Sequence, residues 1–129
     1  MFFPLKNTRL SSFSIFVIKY ALRPYQIETF NLKMIAVIPV AGAGVRLRPL
    51  TYTQPKPLIP VAGKPIISYI IDDLTKIGTK KFIFVIGYLG EKIENYLREA
   101  YPDLDMEFVE QTKREGSGHA IWLAKDKWI

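Results

Sequence analysis

The apolar, β-branched run Ile35-Ala-Val-Ile-Pro-Val40 passes directly into Ala41-Gly-Ala-Gly44, and this junction constrains the fold more than any other part of the 129-residue chain. A short run of this kind forms a buried strand, so the glycines fall at a strand's carboxyl end, where an α/β sheet presents backbone to a ligand. Gly42 and Gly44 lack a Cβ, which lets the turn adopt positive φ and aim successive N–H groups at one anion. Arg46 follows just past the turn, and its planar, permanently charged fork suits neighbouring phosphates. Lys56 is framed by Pro55 and Pro57, whose fixed φ limits the entropy lost in aiming an ammonium. A Gly-x-Gly by itself fits a tight turn equally well. The two cations at fixed offsets make the segment a candidate cradle for a nucleoside triphosphate, with Ala41, Gly42, Ala43 and Gly44 as its backbone. Two other phosphate loops are excluded: no Gly-Lys-Ser/Thr closes it, and Leu47 stands where a dinucleotide fingerprint needs Gly or Ala.

Downstream, strand and helix patterns alternate. Pro65 opens a predicted helix in which Ile66, Ile67, Ile70, Ile71, Leu74 and Ile77 recur at helical spacing, with Gly78 placed to end it. Phe82-Ile-Phe-Val-Ile86 is wholly apolar, as expected of a strand buried on both faces of a parallel sheet. Gly87-Tyr-Leu-Gly90 reads as a plain connection. Residues 91–101 read as a second helix with Ile93, Leu97 and Ala100 inward, a Glu94/Arg98 pair one turn apart, and Pro102 as the stop. Residues 106–110 alternate as a third strand, and a further helix carrying Ile121, Trp122 and Lys125 begins at Gly118. The expectation is an α/β, Rossmann-like βαβαβα arrangement with a mostly parallel sheet, which sets the glycine loop and Gln111 on one carboxyl edge.

Composition narrows the chemistry. There is no cysteine and one histidine, His119, so a metal here would need oxygen ligands; His119 is expected at or beside a helix start. The net charge of +6 invites a nucleic-acid reading, but five Lys/Arg against Glu28 alone place +4 of it in residues 1–33, leaving +2 for the remainder. A near-neutral domain that concentrates its cations in a phosphate loop points to a mononucleotide and away from nucleic acid. Within residues 1–33 the best apolar run, Phe13-Ser-Ile-Phe-Val-Ile18, is too short to cross a bilayer, and no secretory pattern is present, so no membrane partner is expected and the setting is taken as cytoplasmic. Residues 1–33 are expected to be a poorly structured leader, or an extension upstream of a true start at Met34.

Gly42-Ala-Gly-Val-Arg-Leu-Arg-Pro-Leu-Thr51, with Pro55-Lys-Pro-Leu-Ile-Pro-Val61 and Lys64-Pro65, resembles the signature of the sugar-1-phosphate nucleotidylyltransferases. Phe108-Val-Glu-Gln-Thr-Lys-Arg-Glu-Gly-Ser-Gly-His-Ala120 resembles that family's base-reading segment. The resemblance implies attack by a sugar-1-phosphate oxygen on the α-phosphorus of an NTP, giving an NDP-sugar and pyrophosphate. By position, Arg46 would hold the triphosphate and leaving group, and Lys56 would bridge the α-phosphate and the sugar phosphate. Gln111 can donate and accept at once, matching a uracil or thymine edge, and the Gly116 backbone can add a hydrogen bond, so UTP or dTTP is favoured. Two departures stand out: Ala41 where the family usually has Gly, and Val45 where it usually has Thr or Ser.

The resemblance covers about residues 34–127 and only the N-terminal, nucleotide-binding part of the family's domain, which makes 34–129 a truncated unit by this reading. It implies Mg²⁺, with the aspartate ligands expected beyond Ile129. Asp72, Asp73, Asp103, Asp105 and Asp126 are expected on helix surfaces or turns away from the loop. Impaired turnover is therefore expected, with a non-catalytic nucleotide- or partner-binding module as the alternative. A sheet ending after its third strand would leave an open edge, which favours self-association into an oligomer.

Overall fold

The computed structural model describes residues 34–128 together with a two-residue strand, β1 (Phe16–Val17). The remainder of residues 1–33, on which the leader reading falls, lies outside the described residues. β1 pairs antiparallel with β2 (Ile35–Pro39), which runs parallel to β5 (Lys81–Ile86), which in turn runs parallel to β6 (Asp105–Glu110). The sheet order is β1-β2-β5-β6, so the three strands expected from the sequence form its parallel part. Between β2 and the first helix lie three single 3-10 turns and a small hairpin of β3 (Pro60–Val61) and β4 (Lys64–Pro65). The sequence reading did not anticipate this hairpin. Its two-residue turn has positive φ at both Ala62 and Gly63, the condition for a turn whose twist matches the paired strands.

Helices cover both faces of the sheet because β2 and β5 are apolar on both. Side chains alternate along a strand, so Phe82 and Phe84 face one way and Ile83 and Val85 the other. On the first face Ala36, Ile38, Phe82 and Phe84 bury against α1 (Ile66–Lys76) through Ile67, Ile71 and Leu74, and against α2 (Gly90–Ala100) through Ile93 and Leu97. On the second, Val37, Ile83 and Val85 meet Ala120 of α3 (Ser117–Leu123) and Ala124 just after it, with Trp128 of α4 (Lys125–Trp128) packed beside them. The stacked rings of Phe84 and Phe108, 5.4 Å between centroids, carry the first-face core onto β6, where the Arg98 guanidinium lies 4.9 Å above the Phe108 ring.

One inward assignment fails: Ala100 is exposed, whereas Ile93 and Leu97 of α2 are buried against the sheet. α1 ends at Lys76, and Ile77, the last residue of its apolar series, is 57% exposed where the chain leaves through Gly78 at φ 94°. The Glu94/Arg98 pair forms as expected, at 2.8 Å.

Ion pairs secure the margins. Lys64 of β4 donates to Asp72 of α1, whose other carboxylate oxygen accepts from the Tyr101 hydroxyl at 2.9 Å. The bond from Lys64, aided by Tyr101 and opposed by partial burial, holds the Asp72 carboxyl below its ordinary value of 3.8. A depressed carboxyl contributes stability that is present above the ordinary value and lost as pH falls through the folded one. Replacing Asp72 by Asn is therefore expected to lower Tm at pH 6, and the gap from wild type to narrow as the melts are repeated below pH 3.8.

The β5–α2 connection is close-packed against the end of β2. A Cβ at Gly87 would lie 3.0 Å from both the Cβ and the carbonyl oxygen of Ala41, and backbone cannot yield as a flexible side chain does. Gly87→Ala should cost about 1–3 kcal/mol, read in thermal melts as roughly 4–8 °C of Tm per kcal/mol.

Candidate functional site

The carboxyl end of β2 divides two adjoining concavities. The first, about 310 Å³, is lined by Gly42, Gly44, Val45, Arg46, Lys56 and Pro57 among others. The second, about 230 Å³, is lined by Ala41, Gly42, Gln111, Arg114, Gly116 and Ser117. Pro39 and Gly42 belong to both clefts, so the two form a continuous site around one strand end. The edge anticipated for the glycine loop and Gln111 is thus the one observed. Of the eight anticipated residues, Ala43 alone lines neither cleft.

The two loop glycines have different reasons to be glycine. Gly44 has φ 60°, and a Cβ there would meet Thr51 Cγ2 at 2.9 Å and Lys56 Cβ at 3.2 Å, so it lets three segments converge. A Cβ on Gly42 would meet no protein atom within 4 Å. Protein packing therefore does not require a bare backbone at Gly42, whereas close approach by a ligand would. Among the described residues, the N–H groups of 42–46 take no part in any backbone hydrogen bond, which leaves a run of donors beside the first cleft. Ala41 is buried, with its Cβ packed toward Gly87; the family-pattern departure at this position is absorbed by that glycine. Val45 lines the first cleft and is 53% exposed, presenting methyls where the resemblance would place a hydroxyl.

Thr51, which the sequence reading quoted without a role, is a structural pin for the loop. It is 2% exposed, and its Oγ1 donates to the Gly44 carbonyl at 2.8 Å, the same oxygen that accepts from Leu47 N–H at 2.9 Å. The segment that follows is tied down from β5–α2: the Tyr88 hydroxyl donates to the Tyr52 carbonyl at 3.0 Å, and Lys92 Nζ to the Thr53 carbonyl at 2.7 Å. Gly87-Tyr-Leu-Gly90 is thus a connection, as expected, that also braces the loop.

In the second cleft Gln111 is 7% exposed and its backbone N–H reaches the Ile86 carbonyl at 2.8 Å, extending the β5–β6 pairing. Its side-chain amide does not both donate and accept toward the cleft, as the sequence reading supposed. Nε2 donates to the Gly116 carbonyl at 3.2 Å and bonds His119 Nδ1 at 3.1 Å, so the donor half is spent inside the protein and the acceptor half is left. Gly116, at φ 90°, turns the chain into α3, and His119 lies in the first turn of that helix. Arg114 is a lining cation that the sequence reading passed over.

No aspartate or glutamate lines either cleft, and the described residues contain no group of three or more His, Asp or Glu able to hold a metal ion. Asp72 and Asp73, both on α1, are committed to Lys64 of β4 and to Lys76. Asp105 opens β6 rather than sitting on a helix or turn, and Asp126 lies on α4. No described helix is long and apolar enough to cross a membrane.

The nucleotidyl transferase family model matches residues 35–128. The bifunctional protein GlmU of Methanococcus vannielii is 44% identical over 93 residues, covering 72% of this chain and 22% of that protein. The UTP–glucose-1-phosphate uridylyltransferase AglF of Haloferax volcanii is 37% identical over 93 residues, covering 72% of this chain and 38% of that protein. A UDP-glucose pyrophosphorylase from Acinetobacter baumanii superposes with a TM-score of 0.65 at 26% identity, covering 74% of this chain and 41% of the other. This chain spans about a fifth to two-fifths of the length of these proteins. Other structural neighbours are described with guanine or cytosine nucleotides.

Thr51→Val removes the Oγ1 donor and keeps the shape. A loss of about 1 kcal/mol is expected, with faster amide hydrogen exchange at Leu47, whose acceptor Thr51 holds in place.

Proposed function

The chain belongs to the nucleotidyl transferase family, and on that premise we propose that its two clefts bind one nucleoside triphosphate, UTP or dTTP, for transfer of the nucleoside monophosphate to a sugar-1-phosphate. The observation that carries the proposal is Gly42, shared by both clefts and bare where no protein atom needs the space. The triphosphate lies over the Gly42–Gly44 turn, with the N–H groups of 42–46 and the Arg46 guanidinium on the phosphates that leave as pyrophosphate. Lys56, held against Gly44 in a proline-framed turn, places its ammonium where the α-phosphate meets the incoming sugar phosphate. The base enters the second cleft, against Gln111 and the Gly116 backbone. A sugar-1-phosphate oxygen attacks the α-phosphorus, the bond to the β-phosphate oxygen breaks, and pyrophosphate departs against Arg46. AglF, named for UTP and glucose-1-phosphate, supports this choice of donor and acceptor. We place the reaction in the cytoplasm.

Mg²⁺, which the family resemblance implies, does not fit the residues described: neither cleft offers a carboxylate, and no step above runs through a metal. That same lack favours a second reading, in which this chain binds the nucleotide without transferring it. Pyrophosphate release from UTP and glucose-1-phosphate supports transfer; UTP binding without release supports the binding module.

Charge-assisted contacts to phosphate contribute about 1.5–3 kcal/mol each. Arg46→Ala and Lys56→Ala are each expected to weaken UTP binding by about 10- to 100-fold in calorimetry. Undiminished affinity in both variants would remove the phosphate assignment of the first cleft.

A further inference from the structure

We infer that His119 is a positioning residue that acts through Gln111, so that the second cleft prefers a base donating at its N3 ring nitrogen, as uracil and thymine do, over one accepting there, as cytosine does. The inference rests on the reading of the second cleft as the base site.

The hydrogen-bond chain has one self-consistent assignment. A carbonyl oxygen can only accept, so the Gln111 atom 3.2 Å from the Gly116 carbonyl is the amide nitrogen. The same nitrogen lies 3.1 Å from His119 Nδ1, and its second hydrogen requires a lone pair on that ring atom. The imidazole proton therefore resides on Nε2, and the Glu115 carboxylate, 3.6 Å from Nε2, favours a proton there. The ring is further restrained by stacking on Trp122, 6.1 Å between centroids.

With both amide hydrogens engaged, Oε1 is the polar atom that Gln111 offers the cleft, and it is not among the buried polar atoms lacking a partner. N3–H of uracil or thymine donates to that oxygen. N3 of cytosine carries a lone pair instead and opposes it, and the amide could answer only by turning over. Turning over would set Oε1 against the Gly116 carbonyl and strip His119 of its donor. The Gly116 carbonyl, which also accepts from the Ala120 N–H at 3.2 Å, and the Nδ1 lone pair of His119 are both acceptors, so the two together oppose that flip. Specificity at the base is thus set one residue behind the group that touches it.

The test is calorimetric titration of the 129-residue chain with UTP, CTP and tripolyphosphate. Wild type is expected to prefer UTP over CTP. His119→Leu removes the acceptor, and the UTP:CTP affinity ratio should fall by about three- to tenfold, the worth of one hydrogen bond, with tripolyphosphate affinity unchanged. His119→Asn keeps an acceptor at similar reach and should restore the ratio, which a loss of mere packing would not. A wild-type ratio in His119→Leu overturns the inference and leaves the nucleotide site intact. Binding of none of the three ligands by wild type overturns the proposed function and this inference with it. Should His119→Leu fail to fold, wild type still decides: its single imidazole gives unambiguous ¹⁵N signals. A neutral ring protonated on Nε2 supports the assignment, and one protonated on Nδ1 overturns it.

Discussion

β5 cannot be exposed on either face, and the rest of the molecule is arranged around that constraint. Phe82, Ile83, Phe84 and Val85 are all fully buried, so α1 and α2 must cover one side of the sheet and α3 and α4 the other. At about 25 cal/mol per Å² of apolar surface removed from water, those four side chains outweigh any single polar contact in the fold. Burial on both faces also confines polar function to the sheet's ends. The carboxyl end of β2, its neighbour in register from Ile35–Lys81 to Pro39–Val85, is where the chain turns away from the packed layers and its backbone donors become available.

The site then depends on how a long, irregular connection is made rigid. Residues 40–65 contain only single turns and a short hairpin, yet Leu58 is buried in the first-face core, Thr51 is pinned to Gly44, and Gln54 reaches the Leu58 carbonyl at 3.1 Å. Each tie fixes one position along a segment that carries Arg46, Arg48, Lys56 and Lys64. Preorganisation of this kind lowers the entropy lost on binding, which matters where permanently charged, solvated side chains must converge on one ligand.

Much of this was legible in the sequence, and the limits were physical. Continuous apolar runs exposed β2 and β5, alternation exposed β6, and a 3.6-residue repeat exposed both major helices, since each of these is a local property. The junction of a strand with Gly42 and Gly44 announced the phosphate-side cleft for the same reason. Ala100 was misjudged because periodicity states which residues could share a face and not how far the sheet extends beneath it. The β3–β4 hairpin escaped notice because its strands are two residues each and half proline. Thr51 and His119 were opaque for another reason: their partners, Gly44 and Gln111, lie seven and eight residues away across turns, and only the folded chain shows that those side chains meet.

The braces that Tyr88 and Lys92 extend to the cation-bearing connection end on the main-chain carbonyls of Tyr52 and Thr53. A carbonyl is supplied by every amino acid, so the anchorage is indifferent to the side chains at those positions, both of which face solvent. Positions 52 and 53 can therefore change their side chains freely while the connection they anchor stays in register.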